Sequence, residues 1–83
     1  DLFQCQLEGS DVDECNFYDN CQINSSKVKN SYIHKSCHAN DAYIYGTNGI
    51  FKGSMKGGIF REGKYDKKTA KFDNTEKVLY QEV

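Results

Sequence analysis

The stretch Gly49-Ile50-Phe51-Lys52-Gly53-Ser54-Met55-Lys56-Gly57-Gly58-Ile59-Phe60-Arg61-Glu62-Gly63-Lys64-Tyr65 says nearly the same thing twice. Gly-Ile-Phe followed by a base occurs at 49–52 and again at 58–61. A phosphate-binding loop would need Gly-x4-Gly-Lys-Ser/Thr between a strand and a helix, and a dinucleotide fingerprint would need Gly-x-Gly-x2-Gly opening a helix. Neither spacing is present. The stretch reads as a β-hairpin, with Ile50-Phe51 and Ile59-Phe60 as short apolar strands joined by a loop over Gly53–Gly57.

Outward from this point the strand signals come in series. Residues 31–37 and 42–46 are rich in β-branched and aromatic residues, and Asn40-Asp41 and Gly46–Gly49 bound them with turn residues. Residues 70–73 and 76–83 continue the pattern. At the other end, residues 2–7 alternate apolar and polar. Residues 24–31 read as a polar loop. Ser10 is a good N-cap, and Asp11, Asp13 and Glu14 suit a helix N-terminus, so a short helix is expected near residues 11–19. The chain lacks proline, so no strand is demoted to an edge on that account. The expected fold is mainly β: one domain over 1–83, a small disulfide-stabilised antiparallel sheet or open barrel with one short N-terminal helix. No repeat stands out beyond the nine-residue echo.

Size and composition agree with a stapled scaffold. The 83 residues are 37% hydrophobic and 28% charged, and a core this small is marginal without cross-links. Cys5, Cys15, Cys21 and Cys37 make an even set, which suggests a disulfide framework and an oxidising compartment. Two bridges would contribute about 2 and about 4 kcal/mol for loops 15–21 and 5–37. The start at Asp1 and the sequon Asn24-Ser25-Ser26 fit a secreted chain. No apolar run approaches a transmembrane length, so no membrane insertion is expected.

The net charge of −1 hides a strong segregation. Asp1, Glu8, Asp11, Asp13, Glu14 and Asp19 supply the early acids, and no base precedes Lys27. Bases then dominate to Lys71. The two blocks either lie against each other and neutralise, or stay apart and steer a charged partner. Lys52, Lys56, Arg61, Lys64, Lys67 and Lys68 are interleaved with Phe51, Phe60 and Tyr65. That combination offers charge for a polyanion backbone and rings for stacking. The competing view is that the rings belong to the core and the lysines only solubilise.

Other chemistries have weaker support. Cys15, Cys21, His34, Cys37 and His38 have the residue types for zinc, but the spacing between the first two cysteines is too wide. His34, His38, Arg61 and Glu62 supply the parts of a ribonuclease, yet the histidines would stand roughly 13 Å apart along one strand face. Asp11-Val12-Asp13-Glu14-Cys15 resembles the start of a calcium-binding EGF repeat for five residues, and the six-cysteine pattern is missing. No cofactor or metal is expected. The sequence therefore points to a secreted, non-enzymatic, monomeric binding protein of inhibitor, effector or toxin type. Its partner would be an extracellular or host protein or a polyanion such as a sulfated glycan, with nucleic acid as the less favoured partner. The alternative is a small nuclease-like or RNA-binding effector.

Overall fold

A computed structural model describes residues 1–46 and 48–83. Thr47, within the turn expected over Gly46–Gly49, lies outside the described residues. Strands of two or three residues follow one another at short intervals. The first coil comprises β1 (Leu2–Phe3), β2 (Gln6–Glu8) and β3 (Asp11–Asp13). The second comprises β4 (Asn16–Tyr18), β5 (Gln22–Asn24) and β6 (Lys27–Lys29). The third has β7 (Tyr32–Ile33), β8 (His38–Asn40) and β9 (Tyr43–Tyr45). The fourth has β10 (Ile50–Phe51), β11 (Ser54–Lys56) and β12 (Ile59–Arg61). The fifth has β13 (Lys64–Tyr65), β14 (Lys71–Asp73) and β15 (Glu76–Val78), and β16 (Gln81–Glu82) begins another.

Successive strands do not pair. Each pairs in parallel with its counterpart one coil away, giving three sheets in the orders β1-β4-β7-β10-β13-β16, β2-β5-β8-β11-β14 and β3-β6-β9-β12-β15. This is a three-sided β-solenoid of about 5 turns. Layers stacked at about 4.8 Å account for a long axis of 27 Å against cross-sections of 20 Å.

Corners make this possible. Gln4, Glu14, Ser25, Asn30, Asp41, Glu62, Asn74 and Leu79 each follow a strand and take positive φ, between 49° and 55°. A single left-handed residue swings the chain from one sheet into the next. Serine hydroxyls finish several corners. The backbone N–H of Ser10 donates to Ser26 Oγ at 3.1 Å, and Ser26 Oγ donates to the Asn24 carbonyl at 2.8 Å. Ser31 repeats the device, accepting from the Cys15 N–H at 3.1 Å and donating to the Lys29 carbonyl at 3.0 Å. Both hydroxyls are buried and satisfied, as burial requires.

The middle residue of a three-residue strand points inward, so the core is a set of axial columns. Leu7, Ile23, Ala39, Met55 and Phe72 stack in one, and Val12, Val28, Ile44 and Phe60 in another. Leu2, Phe17, Ile33, Phe51 and Tyr65 form the third. Phe51, Phe60, Tyr65 and Phe72 bring four rings together, with centroids 5.0 to 6.0 Å apart.

The antiparallel sheet or barrel is therefore corrected. Ile50-Phe51 and Ile59-Phe60 lie in different sheets, and the supposed loop between them contains β11 of the third sheet. The expected helix at 11–19 is also corrected, because Asp11–Asp13 and Asn16–Tyr18 are strands with a left-handed Glu14 between them. The run 2–7 is split at Gln4, and the polar loop 24–31 contains β6. The spans 42–46 and 70–73 do hold strands.

No bridge is formed among the expected disulfide cysteines Cys5, Cys15, Cys21 and Cys37 in this structure. Cys5 and Cys21 occupy equivalent positions sixteen residues apart, with their Sγ atoms 3.2 Å from each other. The same step leads from Cys21 to Cys37, whose neighbour His38 pairs with Gln22. Cys15 stands at another corner under Ser31. The cysteines thus group as three and one rather than as two pairs.

Coil-to-coil contact sets the tolerance of the corners. A Cβ on Gly58 (φ +74) would collide with the backbone of Ala42 one coil away, whereas one on Gly9 (φ +58) meets nothing within 4 Å. Both substitutions incur a left-handed penalty of about 1 kcal/mol. Gly58→Ala adds the collision, so we expect it to lose about 2–3 kcal/mol and Gly9→Ala about 1 kcal/mol in urea unfolding. Equal losses would mean that the coils do not pack at this corner.

Candidate functional site

On a solenoid, residues adjacent in sequence point to different sides, and a surface is assembled from equivalent positions of successive coils. The outer face of the first sheet is the most distinctive. Register and backbone bonding align Phe3, Tyr18, His34, Lys52 and Asp66 in one axial column: Phe3 pairs with Tyr18, and the His34, Lys52 and Asp66 amides each bond to the coil before. Asn16, Tyr32 and Ile50 form the flanking column, and Lys64 occupies the outer position of β13 beside them.

These side chains touch one another. The Phe3 and Tyr18 rings stack with centroids 5.3 Å apart, and Tyr18 lies 5.4 Å from Tyr32 and 6.1 Å from the His34 ring. The Lys52 ammonium sits over the Tyr32 ring at 5.4 Å, a cation–π contact. Phe3 is 57% exposed, and the other members are half-buried. Ring faces are used within the ladder, so the column presents ring edges, the polar ends of the tyrosines and His34, and the lysine cations. A shallow groove of about 660 Å³ runs alongside, lined by Tyr32, Ile50, Lys64 and Val83 among others.

Of the residues expected to form one basic and aromatic patch, only Lys52 and Lys64 share this face. Lys56 is on the second sheet and Arg61 on the third, where its Nε lies 3.4 Å from Glu62. Lys67 and Lys68 belong to the turn between β13 and β14. Phe51, Phe60 and Tyr65 are buried, so their role as contact rings is corrected: all three occupy inward strand positions. The rings that do reach solvent beside the lysines, Phe3, Tyr18 and Tyr32, lay outside the expected segment. Their signal was present in the sequence as recurrence near a sixteen-residue step.

The ribonuclease parts are not assembled. His34 belongs to the first face and hydrogen-bonds Ser36 Oγ through Nδ1 at 3.0 Å. His38 is on the second sheet, bonded to Ser54 Oγ. Arg61 and Glu62 lie on and just after a strand of the third. The expectation that both histidines share one strand face is corrected by the corner at Lys35-Ser36 between them. Among the described residues, no group of three or more His, Cys, Asp or Glu residues is placed to hold a metal ion. Comparison with known protein families, characterised proteins and solved structures found no match.

Burial perturbs two thiols and a phenol. Cys5 is pushed up to about 11, first by burial, then by its bond to the Cys21 thiol. Burial also raises Cys37, and it raises Tyr65 together with the Glu82 carboxylate beside that phenol. Each is an acid whose neutral form is favoured by folding. Their stabilising effect is complete below the unfolded pKa, near 9 for thiols, and is lost as pH rises through the folded value, about 11 for Cys5. The melting temperature should therefore fall between pH 9 and 11, and less steeply in Cys5→Ser. In the native protein, alkylating reagents should reach Cys15 readily and Cys5 only slowly, because its thiol is held neutral, while the fully buried Cys21 and Cys37 react only after denaturation. Mass mapping would settle this, and rapid labelling of Cys37 would contradict the column.

Proposed function

We propose that the protein is a secreted, non-enzymatic binding protein that engages an acidic partner, a sulfated glycan or an acidic protein, through the outer face of its first sheet. The observation that carries this reading is the junction of a ring ladder with two cations: Phe3, Tyr18, Tyr32 and His34 run axially into Lys52 and Lys64. Lysine ammonium groups attract sulfate or carboxylate as point charges, and the phenol and imidazole ends add hydrogen bonds. Backbone pairing holds these groups on short strands, so little order has to be imposed on binding. The dispersal of His34, His38, Arg61 and Glu62 over three sides favours binding over the nuclease alternative.

The test is retention on immobilised heparin as salt is raised. The native protein should be retained at low salt and released at moderate salt. Lys52→Glu with Lys64→Glu should abolish or sharply reduce retention, with the salt dependence of affinity falling by about two ion equivalents. Arg61→Glu, on another side, should change it little. Flow-through of the native protein, or equal losses from both variants, would remove this face as the site. Unchanged melting curves would exclude misfolding as the cause.

A further inference from the structure

Three of the four cysteines stand in one axial column, and backbone bonds fix their register. The Gln22 N–H donates to the Cys5 carbonyl at 2.8 Å, the His38 N–H to the Cys21 carbonyl at 3.0 Å and the Ser54 N–H to the Cys37 carbonyl at 3.1 Å. The column therefore runs Cys5, Cys21, Cys37, Gly53. Cys15 belongs to a different one. The Tyr32 N–H donates to its carbonyl at 3.0 Å, so its counterpart one coil on is Ser31, a hydroxyl rather than a thiol.

Within the column the sulfurs are not equivalent. The Cys21 sulfur is turned toward the first coil. It lies 3.2 Å from Cys5 Sγ, accepts the Cys5 N–H at 3.4 Å and stands 3.5 Å from the Leu2 carbonyl. The backbone beneath it suits a bridge. Registered neighbours in a parallel ladder stand about 4.8 Å apart, inside the Cα window of about 4.4–6.8 Å that disulfides occupy. Closure brings the sulfurs from 3.2 Å to about 2.05 Å, a change that side-chain rotation can supply while the ladder stays in place.

We propose that Cys5 and Cys21 form an oxidation site, at which a low-molecular-weight disulfide converts the two thiols into an intrachain bridge between the first and second coils, leaving Cys15 and Cys37 as thiols. The Cys5 thiol loses its proton and attacks one sulfur of the oxidant, releasing one thiolate. The Cys21 thiol then loses its proton and attacks the Cys5 sulfur of the mixed disulfide, releasing the second. Two electrons and two protons leave the protein, and the oxidant becomes two thiols. The bridge fastens the coil that carries Phe3 to the coil that carries Tyr18, whose rings stack. It rests on the thiol geometry alone and does not require the binding reading above.

Burial holds the Cys5 thiol neutral in the folded protein, and the thiolate is the attacking species, so exchange is fastest while the chain is still unfolded. The test therefore refolds the reduced, urea-unfolded protein in a buffer of reduced and oxidised glutathione. Samples are acid-quenched and the remaining thiols alkylated in denaturant. Intact mass should show one bridge and two alkyl groups in most molecules. Peptide mapping should join Cys5 to Cys21 and place the alkyl groups on Cys15 and Cys37. The bridged protein should melt about 10 °C or more above the reduced one, and dithiothreitol should erase the difference. Cys37→Ser should form the same bridge, and Cys5→Ser should lose the rise in melting temperature. A main bridge between Cys21 and Cys37, any main bridge to Cys15, bridges between chains, or four alkylated thiols would overturn the assignment. So would a Cys5–Cys21 bridge that lowers the melting temperature, because the column would then have to distort to accept it.

Discussion

Everything in this molecule follows from the parallel bond between a residue and its counterpart one coil away. Strands of two or three residues cannot persist in isolation, since each contributes too few hydrogen bonds to offset the entropy of ordering. Stacked five or six deep, the same strands share continuous ladders and a continuous interior. The stack holds only if every coil has nearly the same circumference. That requirement falls on the corners, and it explains a recurring left-handed residue after strands at positions occupied by Glu14, Ser25, Asp41, Glu62 and even Leu79. The strain of these non-glycine corners, of order 1 kcal/mol each, is offset by the ladders that they allow to form.

The columns impose their own compensation. A large residue in one coil leaves less room beside it in the next. Ala39 sits next to Met55, and Gly53 continues the corner column of Cys5, Cys21 and Cys37, where any Cβ would press on the Cys37 carbonyl. Aromatic bulk collects toward the C-terminal half, in Phe51, Phe60, Tyr65 and Phe72. The middle coils are filled by Ile23, Val28, Ile33 and the thiols of Cys21 and Cys37. The Cys21 thiol donates to the Tyr18 carbonyl at 3.0 Å, so cysteine serves here as a small core residue with a weak donor.

Much of this was legible in the sequence, but at the wrong period. The β character of 42–46 and 70–73 was plain from residue type. The glycine echo was real, yet it repeats one corner-and-strand unit within a coil, and nine residues separate two strands that never meet. The informative step is sixteen, carried by Cys5 and Cys21, Ser10 and Ser26, and Val12 and Val28. Two features mask it. Inward positions recur every five or six residues, close enough to a helical or alternating spacing to mislead over a short window. The later coils also carry extra residues, as between Tyr45 and Ile50 and between Tyr65 and Lys71. Acidic residues that read as a helix N-terminus are rim and corner residues. The basic block was legible as composition but not as a surface, because a coil spreads its consecutive residues over three sides.

The same geometry turns linear charge segregation into an axial one. Acids gather in the first coil, and bases dominate the coils that follow. At the seam, Asp11 and Asp13 meet Lys27 and Lys29 in register, so the two blocks are neither fully neutralised nor fully apart. On its β6 side, β3 has opposite charges in register against it. The bases farther along are only half matched: Lys52 lies between His34 and Asp66, and Lys56 between Asn40 and Asp73, so each has an acid on one side alone. An acidic first coil and a flank of the first sheet that carries Lys52, Lys64 and a ladder of rings give the molecule two surfaces of opposite sign.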